Sequence, residues 1–347
     1  MAASPARPGG LEWGLAGVAA LLGAVVTVLV LAVGGALDGD SGRLTSTHLT
    51  AVDGTGGDVA EIVAAAAPSI VAVRVATPMG AVTGSGVTLG RTQVLTSGSL
   101  LAGAVAGSVT VSTPDGRVLD GTIAGIDADT DLALLIIETR SGAHLTPAQL
   151  GATDPLVVGQ PVVALGIASG DHRWAGTGVV NAVDRLATNA SGLVMAGLVE
   201  TDTSPGAAVG GGALLDANGA VVGILVRSAP GRAVPIDVAR DIADQLATNG
   251  RARHGWIGVV TEDAGDRPGG GARVTAVVAG SPAAAAGIAV GDVIVVVGKD
   301  QVSDTPDLLA AETRRRPSDP VGVTLWRESK RMRRDVDLGE RTPPPDA

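Results

Sequence analysis

Cysteine is absent from these 347 residues, which excludes disulfides, thiolate metal sites and a cysteine nucleophile. Phenylalanine and tyrosine are absent too, leaving Trp13, Trp174, Trp256 and Trp326 as the only aromatics. A core without them must be assembled from valine, leucine, isoleucine and alanine, and the valine-rich runs favour strands. Positive charge is also in deficit. A formal net charge of −10 argues against non-specific nucleic-acid binding. What the chain has in plenty is glycine, 51 residues, which fits many short strands joined by tight turns.

Residues 1–13 carry Arg7 as a lone cation and end at Trp13. The run GLAGVAALLGAVVTVLVLAVGGAL (14–37) then has no charged residue and is long enough to span a hydrocarbon core of about 30 Å. It also exceeds the usual apolar stretch of a signal peptide, about 7–15 residues, so it reads as a retained transmembrane anchor. Arg7 before it and Asp38 and Asp40 after it point to a cytoplasmic N-terminus and extracytoplasmic main domains. Residues 38–58 are polar and rich in Gly and Thr, as a linker is.

From residue 59 the pattern changes. A short helix over 59–67 is stopped by Pro68. Short Val/Ile/Leu runs follow at 69–77, 84–90, 93–104, 131–138, 158–168 and 175–185. Residues 108–127 read as two strands about an Asp115-Gly116 turn. Strands at this spacing form a barrel or a sandwich. The stretch VETDTSPGAAVGGGALLDANGAVVGIL (199–225) organises them. Its triple glycine, Gly210 to Gly212, suits a loop whose backbone N–H groups hold an oxyanion; taken alone it would equally suit a flexible hairpin loop.

Several landmarks together resemble the HtrA (DegP-like) family of trypsin-type serine proteases. They are Gly84-Ser85-Gly86, Asp127 with DLALL from Asp131, VGQPVVALG (158–166), GTGVV (176–180), Thr201-Asp202, LLDANGAVVGI (214–224) and AVPIDVARDIADQL (233–246). The resemblance implies a mainly β fold: a trypsin-like double β-barrel over 59–247, then an α+β PDZ domain over 251–339. The tail at 340–347, with Pro343, Pro344 and Pro345 in a row, reads as disordered. Such proteases use a serine nucleophile, a histidine base and an aspartate that orients it. The family's histidine lies in an LTNNHVV-like run, which here reads LTSGSLL (95–101), so its position is Ser99. The aspartate position is Asp131. Counted from Asp202, the GNSGG-like nucleophile loop is AVGGG (208–212), and the serine position is Gly210. Base and nucleophile are both replaced, leaving Asp131 with a vestigial oxyanion hole at Ala208 and Gly210.

Glycine has no side-chain atom to attack a carbonyl, and the Ser99 hydroxyl is no general base near neutral pH. His48, His144, His172 and His254 fall in no matching motif and read as surface or packing residues. Ser204 lies six residues early, before Pro205. Asp131 is expected to hydrogen-bond Ser99 instead. The expected protein is an inactive homologue with no cofactor and no metal; an active endopeptidase with displaced groups and a structural adaptor are the alternatives.

For the PDZ domain, the resemblance makes WIGVV (256–260) the carboxylate-binding loop and following strand, residues 306–316 the second helix and 320–329 the last strand. The amides of Ile257, Gly258 and Val259 would take a peptide carboxylate. Ile257, Val259 and Leu308 or Leu309 would line the groove, with Trp256 capping it or packing beside it. The implied partners are polypeptide C-termini or unfolded segments, the membrane through 14–37, and a second copy or an active HtrA paralogue. Trimers built on aromatic residues ahead of the first barrel lack those residues here. The basic run Arg314 to Arg316 with Arg327, Lys330, Arg331, Arg333 and Arg334 reads as a solvated face.

Overall fold

The computed structural model describes residues 58–138, 144–151, 156–168, 172–189 and 192–341. The expected anchor at 14–37, the linker up to residue 57 and residues 342–347 of the expected tail lie outside the described residues. Glu340 and Arg341, expected in a disordered tail, are instead held by strand pairing of Glu340 with Gly255 and by the Arg341 N–H on the His254 carbonyl. Among the described residues, no helix is long and apolar enough to cross a membrane.

Asp58 opens the first helix, α1 (Val59–Ala66), by accepting the Ala60 N–H at 3.0 Å. Pro68 sits in the 3-10 turn that ends it. Then follow β1 (Ile70–Thr77), β2 (Gly80–Thr88), β3 (Gln93–Ser97), β4 (Val109–Ser112), β5 (Val118–Asp127) and β6 (Leu132–Ile137). They close into one antiparallel barrel in the order β1-β2-β3-β6-β5-β4. A second barrel closes in the order β10-β11-β12-β9-β8-β7, from β7 (Pro161–Ile167), β8 (Arg173–Thr188), β9 (Val194–Thr201), β10 (Ala213–Leu215), β11 (Val221–Leu225) and β12 (Arg232–Pro235). Closure leaves no unpaired strand edge in either barrel.

Strand alternation shows how aliphatic residues alone fill three compartments. Along β6, Ala133, Leu135 and Ile137 point into the first barrel, while Leu132 and Leu134 point the other way, into a core shared by both barrels. In β10, Leu214 fills the second barrel, while Ala213 and Leu215 join the shared core. The helix α2 (Ile236–Asn249) covers that core with Ile236, Ala239, Ile242, Ala243 and Leu246, and Gly250 caps it at φ 69°.

The C-terminal domain contains β13 (Gly255–Trp256), β14 (Val259–Asp263), β15 (Ala272–Val277), α3 (Pro282–Ala285), β16 (Val293–Val297), β17 (Asp300–Gln301) and α4 (Thr305–Thr313). It ends with β18 (Pro320–Arg327), β19 (Lys330–Asp337) and β20 (Gly339–Glu340). Its main sheet runs β14-β15-β16-β18-β19, with α4 packed on its own core of Ile257, Val274, Ile294, Leu308, Val323 and Leu325. The strand expected to be last, 320–329, is followed by two more. Lys330 to Arg334 is largely exposed, a solvated face, and forms part of an edge strand paired along its length to β18, with Val336 buried near its far end. A run of exposed charges hides a strand from sequence reading because only one residue in several marks the inner face.

Candidate functional site

The residues expected at the triad positions, Ser99, Asp131 and Gly210, lie near one another between the barrels. Asp131 stands one residue before β6 at φ 56°, a left-handed conformation uncommon for a residue with a side chain. It is 4% exposed, and its carboxylate is fully engaged. Oδ1 accepts the Ser99 N–H at 2.6 Å; Oδ2 accepts the hydroxyls of Ser97 at 2.6 Å, Ser99 at 3.0 Å and Ser228 at 2.9 Å. The expected Asp131–Ser99 contact is therefore present. Ser97 and Ser228 were not foreseen. Ser228 is separated from Asp131 by 97 residues, and no motif links the two. Hydrogen bonds from O–H and N–H donors satisfy a buried carboxylate without any imidazole.

The loop around Gly210 departs from the expected nest of free donors. Ala207–Val209 form a 3-10 turn, and the Gly210 N–H donates back to the Ala207 carbonyl at 3.1 Å. That same carbonyl accepts the Arg227 guanidinium at 3.1 Å. Of the expected hole pair, Ala208 lies within the turn and Gly210 has its donor spent inside it. The Arg227 backbone runs directly behind: its N–H donates to Ser97 Oγ at 3.1 Å. A Cβ placed on Gly210 would lie 2.3 Å from Arg227 Cβ and 2.5 Å from its Cα. The glycine run is thus needed for close approach, and of the three only Gly211, at φ 84°, takes a positive φ. Ser204 bonds only to the Asp202 carbonyl, at 3.2 Å. His144 and His172 are exposed, and His48 lies outside the described residues.

His254 is different. It is buried between the first barrel and the PDZ domain, with Nε2 3.0 and 3.1 Å from the two Asp127 carboxylate oxygens and Nδ1 3.3 Å from the Thr313 carbonyl. Acceptors face both ring nitrogens, an arrangement that favours the doubly protonated imidazolium, with Asp129 also 3.9 Å away. Burial pulls the His254 pKa down, but the Asp127 hydrogen bond and the charges of Asp127 and Asp129 outweigh it and leave it raised.

In the PDZ domain Ile257 and Leu308 are core residues, 0% and 2% exposed, whereas Val259 and Leu309 are half-buried. The half-buried Trp256 has its ring beside Gly258 and Gly339. Gly258 holds φ 90° because the loop turns tightly over Ser281, whose hydroxyl donates to the Gly258 carbonyl at 3.2 Å. The Ile257 N–H does not point to an open anion site. It donates to Oε1 of Glu312 at 2.7 Å, and the other Glu312 oxygen accepts from Arg341 at 2.9 Å. Burial raises the Glu312 pKa, opposed by the Arg341 charge and the Ile257 N–H.

Comparison with known proteins agrees with this architecture. Residues 84–224 match the trypsin-like peptidase domain and residues 255–338 the PDZ domain. The chain is 33% identical over 235 residues to the serine protease PepD of Mycobacterium tuberculosis, covering 62% of this chain and 50% of that protein. It is 31% identical to a probable periplasmic serine endoprotease DegP-like of Pseudomonas putida, covering 71% of this chain and 53% of that one. With the putative serine protease HhoB of Synechocystis sp. it shares 30% identity, over 72% and 64% of the two chains. The chain thus spans about half to two thirds of the length of these relatives. Among solved structures, the HtrA-type protease AlgW with a tripeptide aligns over 83% of this chain and 99% of its own, at TM-score 0.65 and 26% identity. AlgW with a decapeptide aligns at TM-score 0.61 and 25% identity, over 83% of this chain and 100% of its own. Two closed barrels followed by a PDZ domain, matched in sequence and in fold, place the chain in the HtrA/DegP-like family of trypsin-type serine proteases that carry a PDZ domain.

Proposed function

We propose that this chain is a catalytically inactive member of its family, a polypeptide-binding protein that works outside the cytoplasm in envelope protein quality control. The observation that carries the reading is Gly210 pressed against the Arg227 backbone, at the position where the family's motif has its nucleophile. Ser99, at the base position, is bound to Asp131 and has no proton-accepting nitrogen to offer. The turn amide of Gly210 is spent on Ala207, which removes a donor from any oxyanion site. Binding remains as the role: the PDZ domain offers an unpaired sheet edge at β14, and chaperone-like holding or regulation of an active paralogue are its natural uses. The apolar run at 14–37 serves as a single-pass anchor with its N-terminus in the cytoplasm; relatives named as periplasmic support the extracytoplasmic side for the rest.

The test is labelling of the purified chain with a fluorophosphonate probe, beside a casein-hydrolysis assay. Neither labelling nor hydrolysis is expected. Labelling or cleavage that Asp131→Asn abolishes would return the chain to the active proteases.

A further inference from the structure

Three amides, those of Ile257, Gly258 and Val259, form the loop that would receive a peptide carboxylate, and the chain already supplies a carboxylate to the first of them. Glu312 sits on the last turn of α4, 4% exposed, with Oε1 on the Ile257 N–H at 2.7 Å. Its second oxygen is held by Arg341 at 2.9 Å. That arginine is brought there by backbone pairing. β20 pairs with β13 in the register Gly255↔Glu340 and Trp256↔Gly339, and the Arg341 N–H donates to the His254 carbonyl at 3.1 Å. The strand that leads into the loop and the arginine that neutralises the carboxylate are therefore one unit.

A single N–H cannot serve two carboxylates. An incoming C-terminal carboxylate would have to displace Glu312 from Ile257, or stop at the remaining amides with a second anion beside it. Displaced, Glu312 would remain a buried carboxylate without that donor. None of this hinders a peptide backbone that simply extends the sheet. β14 is paired only to β15, so its outer edge presents free main-chain groups, and Val260 on it is 53% exposed. Strand addition there uses neutral amides and does not call on the Ile257 N–H.

We propose that Glu312 is the built-in occupant of the carboxylate-binding loop, and that the groove consequently takes internal extended polypeptide segments in preference to chain ends. The proposal rests on the reading of the PDZ domain as the polypeptide-binding part, and it names the class of ligand. Unfolded segments, which expose backbone along their length, fit it; native C-termini do not.

The test uses an acetylated Val/Ala/Lys decapeptide made in two forms, C-terminal amide and C-terminal acid, with binding to the full chain followed by fluorescence anisotropy. The amide form is expected to bind at least tenfold more tightly than the acid. In Glu312→Leu, which vacates the Ile257 amide, that ratio should shrink at least fivefold. Acid binding as tight as amide binding in the unmodified chain overturns the proposal. Failure of both forms with both proteins overturns the polypeptide-binding reading itself. An independent readout needs no variant: on adding the amide peptide, amide resonances of β14 should shift while that of Ile257 stays in place. Movement of the Ile257 resonance ahead of the others would mean that Glu312 is readily displaced, against the proposal.

Discussion

A serine at residue 210 would need its Cβ 2.3 Å from Arg227 Cβ, a separation no packed side chain tolerates. Arg227 cannot simply turn aside, since its own backbone is part of the obstruction and its N–H is fastened to Ser97. A serine at this position would therefore require the neighbouring strand end to shift as well. Gly210→Ser is expected to destabilise the fold by about 1–3 kcal/mol, the usual cost of overpacking a close contact. The double variant Gly210→Ser, Ser99→His should stay silent on casein for the same reason. Thermal denaturation and the casein assay check the two together; a stable, active double variant would show that the loop opens easily.

His254 ties together three segments from distant parts of the chain. It precedes β13, Asp127 ends β5, and Thr313 ends α4. The charged groups facing the ring are Asp127 and Asp129, with Arg341 adding its charge on the Asp129 side. Because the folded pKa is raised above the ordinary value of about 6.5, the contribution to stability is fully present below that pH. It is lost as pH rises through the folded value. The difference in Tm between the unmodified chain and His254→Gln should therefore be largest at pH 6 and shrink as pH rises through the folded pKa. Glu312 and Asp129 also have raised pKa values; His254 opposes the rise at Asp129, so the difference reads the histidine together with its effect on that carboxylate. A difference independent of pH would remove the imidazolium assignment.

The PDZ domain rests on the second barrel through the same helix that flanks its groove. Ala310 of α4 packs against Gly197 of β9, where an added Cβ would lie 3.5 Å from Ala310 Cβ, and Arg314 pairs with Asp184 of β8. Gly197 is at φ 75°, where a side chain is unwelcome, so the two small residues set how closely helix and sheet approach. A cleft of about 550 Å³ opens beside this contact, with Asp184, Asp237, Lys299 and Arg314 on its walls. Ala310→Glu would bury an unpaired charge in the contact and should separate the domains. Small-angle scattering should then show a larger radius of gyration at unchanged circular dichroism. Unchanged dimensions would mean that the domains stay together without this packing.

The residue pattern alone carried a good deal. Strand alternation and turn glycines made the β-rich course legible. That residue 99 is a serine and residue 210 a glycine is a matter of side-chain identity, which a sequence states outright. What it could not state is which distant groups would fill the space. That Ser228 would bind Asp131, that Arg227 would close the loop, that His254 would find Asp127 and that Glu312 would take the Ile257 amide all depend on barrel closure and domain docking. The contacts Glu312–Ile257, Ser228–Asp131, His254–Asp127 and Arg227–Ser97 join residues 55 to 130 positions apart, and no local periodicity encodes them. Identity at a position is chemical and local; the partner of a buried polar group is decided only when the chain packs and every such group must find one.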